Sequence, residues 1–270
     1  MGGYRKIKYT NRVNKVPGKR ELLRKVPEIA LIFWIAKLLT TAMGESTSDY
    51  LVNRINPYLA VSIGAMLLLV ALIIQFRAKS YVPWIYWFCV AMVAVFGTMA
   101  ADALHKQLGI PYLATTILFS VSLAVIFSLW YKTEKTLSIH SINNPRRELF
   151  YWATVMATFA LGTAAGDLAA FTLNLGFFTS ALLFTSLMLI PAAGYFYFGL
   201  NEVAAFWTAY IITRPVGASF ADWLGKSKSV GGLGLGSGLV AIVLSALIII
   251  LVVQMSRTSE KPAPRRLNLS

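Results

Sequence analysis

Between about Pro27 and Gln254 the chain is a succession of apolar stretches separated by short polar loops. They accommodate eight segments of the roughly 20 residues that a helix needs to cross a bilayer. Hydrophobic residues make up 57% of the sequence and charged ones 13%, with a mean hydropathy of +0.65, too apolar for a soluble domain of this size. The expected fold is therefore all-α: a polytopic membrane protein of eight transmembrane helices, with little chain left over for a soluble domain.

An internal repeat organises these segments. Trp34, Trp87, Trp152 and Trp207 are each followed ten residues later by Gly44, Gly97, Gly162 and Gly217, and five further on by Asp49, Asp102, Asp167 and Asp222. These four are the only aspartates in the chain, so a W-x9-G-x4-D template runs through it four times. Each unit pairs one template helix with a plainer second helix, at about 58–76, 112–131, 177–198 and 233–253. The units span about 26–79, 80–135, 146–200 and 201–256, between a basic tail over 1–25 and another over 257–270. With two spans per unit all template helices cross in the same direction, so the repeats are parallel and can gather around one axis.

At 100° per residue, Asp lies about 60° from Trp on the same side of its helix. Position seven of the template (Thr41, Ala94, Phe159, Arg214) and position eleven (Glu45, Thr98, Thr163, Ala218) fall within about 20° of the Trp direction. The polar residues of the template helices thus share one face. Gly at position ten with a small residue at fourteen gives a small-x-x-x-small pattern in every unit, which suits close helix packing, and the tryptophans suit packing or anchoring. Lys37 and Arg214 fall near the bilayer midplane, about 15–18 Å into their spans, and need partners. The expected partners are acids of other template helices or a bound anion. Glu45 and the four aspartates against Lys37 and Arg214 leave three uncompensated negative charges if all are ionised, which a cation or protons would balance. Arg214-Pro215 is expected to break its helix. The glycine-rich segment from Gly231 to Gly238 reads as a flexible lead into the last span, since it neither follows a strand nor carries a P-loop lysine.

The formal net charge is +14. Arg5, Lys6, Lys8, Arg12, Lys15, Lys19, Arg20, Arg24 and Lys25 precede the first span, and Arg257, Lys261, Arg265 and Arg266 follow the last. With Arg77, Lys79, Lys132, Lys135, Arg146 and Arg147 they place 19 basic residues on one side against Arg54, Lys106, Lys226 and Lys228 on the other. That asymmetry puts both termini in the cytoplasm, and the tails are expected to meet anionic lipid headgroups rather than nucleic acid. The first 25 residues lack the apolar core and small-residue site of a signal peptide. Cys89 is the only cysteine, and His105 and His140 fall in expected loops, so a disulfide, a Cys/His zinc site and a Cys–His nucleophile are disfavoured. No cofactor is expected.

Lys25-Val26-Pro27-Glu28 before Trp34, the run from Tyr151-Trp152 through Gly162-Thr163-Ala164-Ala165-Gly166-Asp167, and Thr213-Arg214-Pro215-Val216-Gly217-Ala218-Ser219-Phe220-Ala221-Asp222-Trp223 resemble a bacterial family. Its members are membrane-anchored proteins of four tandem repeats of unknown function, each with two spans and a characteristic tryptophan. The resemblance covers about residues 25–254 and implies a topology without naming a substrate.

Carboxylates and hydroxyls lining a membrane interior suit hard cations. The leading functional expectation is a transporter or exporter of a small ion in the bacterial inner membrane, either a hard divalent cation or an ion coupled to protons. Asp49, Asp102, Asp167, Asp222 and Glu45 would bind or relay charge, with Lys37 and Arg214 as counter-ions. The alternatives are a small-anion transporter built on Lys37 and Arg214, and a non-transporting scaffold. An enzyme is not expected, because no nucleophile–base pair or metal motif is visible.

Overall fold

A computed structural model describes residues 24–259 of the chain. The tail charges from Arg5 to Arg20, and Lys261, Arg265 and Arg266, lie outside the described residues. Among the described residues there is no strand, and eight long helices carry the fold: α1 (Leu31–Arg54), α2 (Pro57–Arg77), α3 (Pro83–Asp102), α4 (Tyr112–Glu134), α5 (Pro145–Asp167), α6 (Gly176–Phe198), α7 (Glu202–Gly225) and α8 (Ser237–Ser259). Local chemistry sets several starts. Pro57, Pro83 and Pro145 open their helices, where a missing amide costs nothing, and the side chains of Asn56, Asn144 and Asn201 accept from first-turn amides. The helices α3 and α5 each continue past their aspartate as one π-helical turn, Ala103–Gln107 and Leu168–Thr172. His105 therefore sits on a helical turn rather than in a loop.

Six of these helices are long and apolar enough to cross a membrane, α1 and α7 being the two that are not. The chain is thus a multi-pass helical protein. Its least apolar helices carry Lys37, Glu45 and Asp49 (α1) and Arg214 and Asp222 (α7), all buried.

The four template helices form a closed ring in which α1 packs on α3, α3 on α5, α5 on α7, and α7 back on α1. The second helices lie outside it. Each packs on the template helix of the following unit: α2 on α3, α4 on α5, α6 on α7, and the last, α8, on α1. The two-helix sequence repeat and the packing unit are therefore offset by one helix, as in repeat arrays held by nearest-neighbour interfaces, except that this array closes.

The template glycines explain the closeness of the ring. A Cβ on Gly44 would overlap Ala94, one on Gly97 would come within 2.8 Å of Phe159 Cβ, one on Gly162 would overlap Arg214, and one on Gly217 would overlap Thr41. In every case position ten of one helix meets position seven of the next. Equivalent positions consequently lie at matching levels, which requires parallel template helices. Pro215 sits inside a continuous α7, contrary to the expected break. Its ring lies opposite Gly162, whose missing side chain makes room for it, and neighbouring helices tolerate such a proline by packing around it.

A charged column along the ring axis

The ring interior is layered by template position, beginning at its tryptophan end. The first layer is aromatic. Phe33, Tyr86, Tyr151 and Phe206, each just before a template tryptophan, are buried together with Trp87, Trp152 and Trp207, while Trp34 is partly buried. Phe33 contacts the rings of Trp87, Phe206 and Tyr210, and the hydroxyls of Tyr86 and Tyr151 share a hydrogen bond of 2.5 Å. The tryptophans thus pack between helices at one end of the ring.

Lys37, at position three, comes next. It is 1% exposed, and its Nζ has no hydrogen-bond acceptor among the described residues. The ammonium instead stands 3.8 Å from the ring centre of Phe159 and 4.1 Å from that of Tyr210. The acid or anion partner expected for Lys37 is replaced by two aromatic faces, whose quadrupoles attract a cation. The carboxylates stand further along the template, Glu45 at position eleven and the aspartates at position fifteen.

Arg214 is fully buried and joins all four template helices. Its Nη2 donates to Glu45 Oε2 at 2.6 Å, to Thr163 Oγ1 at 2.7 Å and to Thr98 Oγ1, and its Nη1 donates to the Thr41 carbonyl at 3.2 Å. Position seven of the fourth unit has gathered position eleven of the other three. A rigid guanidinium fork suits this multi-point role better than a lysine does.

The aspartates form the last layer. Lys226 Nζ bonds Asp49 Oδ2 and stands 3.5 Å from Asp222 Oδ1, while Lys106 Nζ bonds Asp102 Oδ2 at 2.8 Å and approaches Asp49 Oδ1 to 4.0 Å. Asp167 is partly exposed and makes no hydrogen bond or ion pair among the described residues. Glu45, Asp49 and Asp222 present oxygens that all lie within 4.8 Å of one another. Burial pulls the Lys226 pKa down, but the carboxylates of Asp222 and Asp49 outweigh it and hold the ammonium above the ordinary lysine range.

Lys106 and Lys226 were not among the residues singled out from the sequence, where they counted only as loop charges. Their signal was nevertheless present: each follows its aspartate by four residues, one turn on the same face. With them, the five carboxyl groups of the column face four basic groups instead of two, and the expected excess of three negative charges shrinks to one.

The glycine-rich segment holds Lys226 in place. The amides of Leu233, Gly234, Leu235 and Gly236 donate to the carbonyls of Trp223, Lys226, Leu224 and Gly225, which caps the last turn of α7. Gly231, Gly234 and Gly236 adopt positive φ, and a side chain on Gly232 would collide with the Lys226 carbonyl. The segment is a hydrogen-bonded cap, where flexibility was expected. At the opposite end, Lys25 belongs to the packed protein rather than to a tail: its Nζ bonds Glu148 Oε2 at 2.6 Å, and Glu148, 0% exposed, also accepts from Gln75 at 2.9 Å.

The family model described as Repeat of Unknown Function (DUF347) matches the chain four times, over residues 32–81, 85–136, 150–200 and 205–260. The chain belongs to this repeat family. No curated protein and no solved structure matches it. The four DUF347 matches each contain one template helix and the outer helix that follows it in sequence. In this DUF347 protein the four repeats make unequal contributions to the axis. The first and fourth contribute Lys37, Glu45 and Arg214, the second and third threonines.

Proposed function

We propose that this chain is a transporter of a small cation, a hard divalent ion or one coupled to protons, in the bacterial inner membrane, with all eight helices crossing and both termini cytoplasmic. The observation that carries the reading is the column of ionisable side chains along the ring axis, from the buried Lys37 and Arg214 to the partly exposed Asp167 and the exposed Lys106. Ionisable groups inside membrane bundles are costly and mark ion pathways. Carboxylate and hydroxyl oxygens are the ligands that hard cations prefer. In this reading the aspartate end admits the ion, and the aromatic layer at the tryptophan end is the barrier that must open to release it.

The near balance of charge in the column favours a second reading, a scaffold whose ion pairs only fix the packing. Flux separates the two. Full-length protein in liposomes carrying cation- and pH-sensitive dyes is expected to move Mg²⁺, Mn²⁺ or protons down an imposed gradient, and Glu45→Gln to slow that movement. Liposomes no more permeable to any of these than protein-free ones would leave the scaffold. Permeability to chloride or phosphate alone would transfer the function to Lys37 and Arg214 as an anion site.

A further inference from the structure

We propose that Glu45, Asp49 and Asp222 form the binding site for one hard divalent cation, and that the cation enters by displacing the ammonium of Lys226. The proposal rests on the transport reading for its purpose but not for its geometry. Oxygens that share a cation at about 2.0–2.6 Å are separated by at most about 5 Å, and the three carboxylates already meet that condition, with oxygens within 4.8 Å of one another. They come from opposite ends of the sequence, Glu45 and Asp49 on α1 and Asp222 on α7, so the ring closure between first and last units builds the site.

A second observation points to a missing ligand. Asp222 is 6% exposed, and its Oδ1 is buried without a hydrogen-bond donor. Lys226 Nζ stands 3.5 Å away, an ion pair without a hydrogen bond. The lysine bonds Asp49 Oδ2 and leaves Asp222 Oδ1 without a donor.

Charge gives the same answer. Glu45 is paired with Arg214 at 2.6 Å, so three carboxylates against one guanidinium leave two negative charges. Lys226 neutralises one of them; a divalent cation in its place neutralises both. Lys226 can leave once the cation replaces its bond to Asp49. It is the first residue beyond α7, its side chain is 25% exposed, and only its backbone is tied down by the glycine-rich cap. Asp49, one of the three carboxylates, also lines a cleft of ≈ 1020 Å³ between α1 and α8, with Asn53, Ser237 and Gly238 among its walls.

The test is Mn²⁺ binding to full-length protein in detergent, followed by electron paramagnetic resonance, with Mg²⁺ as competitor and thermal melting as the control for folding. Lys226→Met is expected to bind Mn²⁺ at least about tenfold more tightly than the parent, since no ammonium has to be expelled. Lys226→Arg should bind no more tightly than the parent, and Asp222→Asn should abolish binding in both the parent and the Lys226→Met background. Lys226→Gln provides the same comparison if Lys226→Met does not fold. Equal affinity in the parent and the uncharged variants would overturn the displacement and leave the transport reading untouched. No Mn²⁺ binding to folded parent and folded variants would overturn the site itself. A protein that binds Mn²⁺ as expected yet moves no ion in liposomes would instead refute the transport reading alone.

Discussion

Two cations lie near the middle of the ring, and their surroundings assign them opposite energetics. Arg214 touches Glu45, Thr98, Thr163 and the Thr41 carbonyl, so it is the single side chain on which all four units converge. Arg214→Ala leaves the buried Glu45 carboxylate without its guanidinium, and breaking a buried pair in this way costs about 3–5 kcal/mol. The variant is expected to melt well below the parent in detergent or to fail to accumulate in the membrane. Arg214→Lys retains charge without the fork, and should fold with a melting point between the two. Lys37 has no acid to strand. Burying its ammonium costs several kcal/mol, which two ring faces offset by up to about 2 kcal/mol each, so Lys37→Met is expected to melt at or above the parent temperature. A large loss would mean that Lys37 has an ionic partner in the membrane.

At the scale of elements, the ring depends on glycines that face backbone and Cβ atoms across each helix pair. Gly97→Ala sets two Cβ atoms 2.8 Å apart and must push α3 from α5; overpacking of this kind costs about 1–3 kcal/mol, readable as a lowered melting temperature. The glycine-rich cap offers a more local check. Gly232→Ala drives a methyl into the Lys226 carbonyl, which should open the ladder between the cap and α7. Amide exchange at Leu233 and Leu235, whose N–H groups bond Trp223 and Leu224, is expected to accelerate while the template helices stay protected. Unchanged exchange there would show that the cap shifts as a unit. The helices themselves were plain in the sequence, since apolar runs of membrane length leave no alternative element. Their ends were less so: the π-helical turns that carry Lys106 and His105 past Asp102 have no signal in periodicity.

For the whole molecule, the offset packing makes a prediction that a row of independent hairpins would not. Cutting the chain in the 135–144 connection separates α4 from α5, its packing partner, and leaves α8 to close on α1 across the same two fragments. The halves meet chiefly at four helix pairs, α4 and α3 on α5 and both α7 and α8 on α1, so co-expressed fragments are expected to co-purify as one complex. Isolated recovery of either half would contradict the closed ring. Reporter fusions at the two ends of the chain should report the same side of the membrane, because Lys37, Glu45, Asp49, Arg214 and Asp222 of α1 and α7 are buried within the ring, and α8 and α6 cover these two helices from outside. One terminus on the opposite side would remove at least one of those crossings.

The sequence by itself determined which residues face the axis. Helical geometry fixes the direction of each side chain about its own helix, so Glu45, Thr98, Thr163, Arg214 and the four aspartates could be placed on one face before any partner was known. What it left open was which of four equivalent faces would meet which. Only the tertiary structure decided that Arg214 takes Glu45 while Lys37 takes two rings, that Lys106 and Lys226 fold back over the aspartates, and that each outer helix serves the next unit. The physical reason is that four copies of one template offer nearly the same surface to one another. Their order around the ring is set by how position ten of each helix seats against position seven of the next, a contact between segments far apart in the chain.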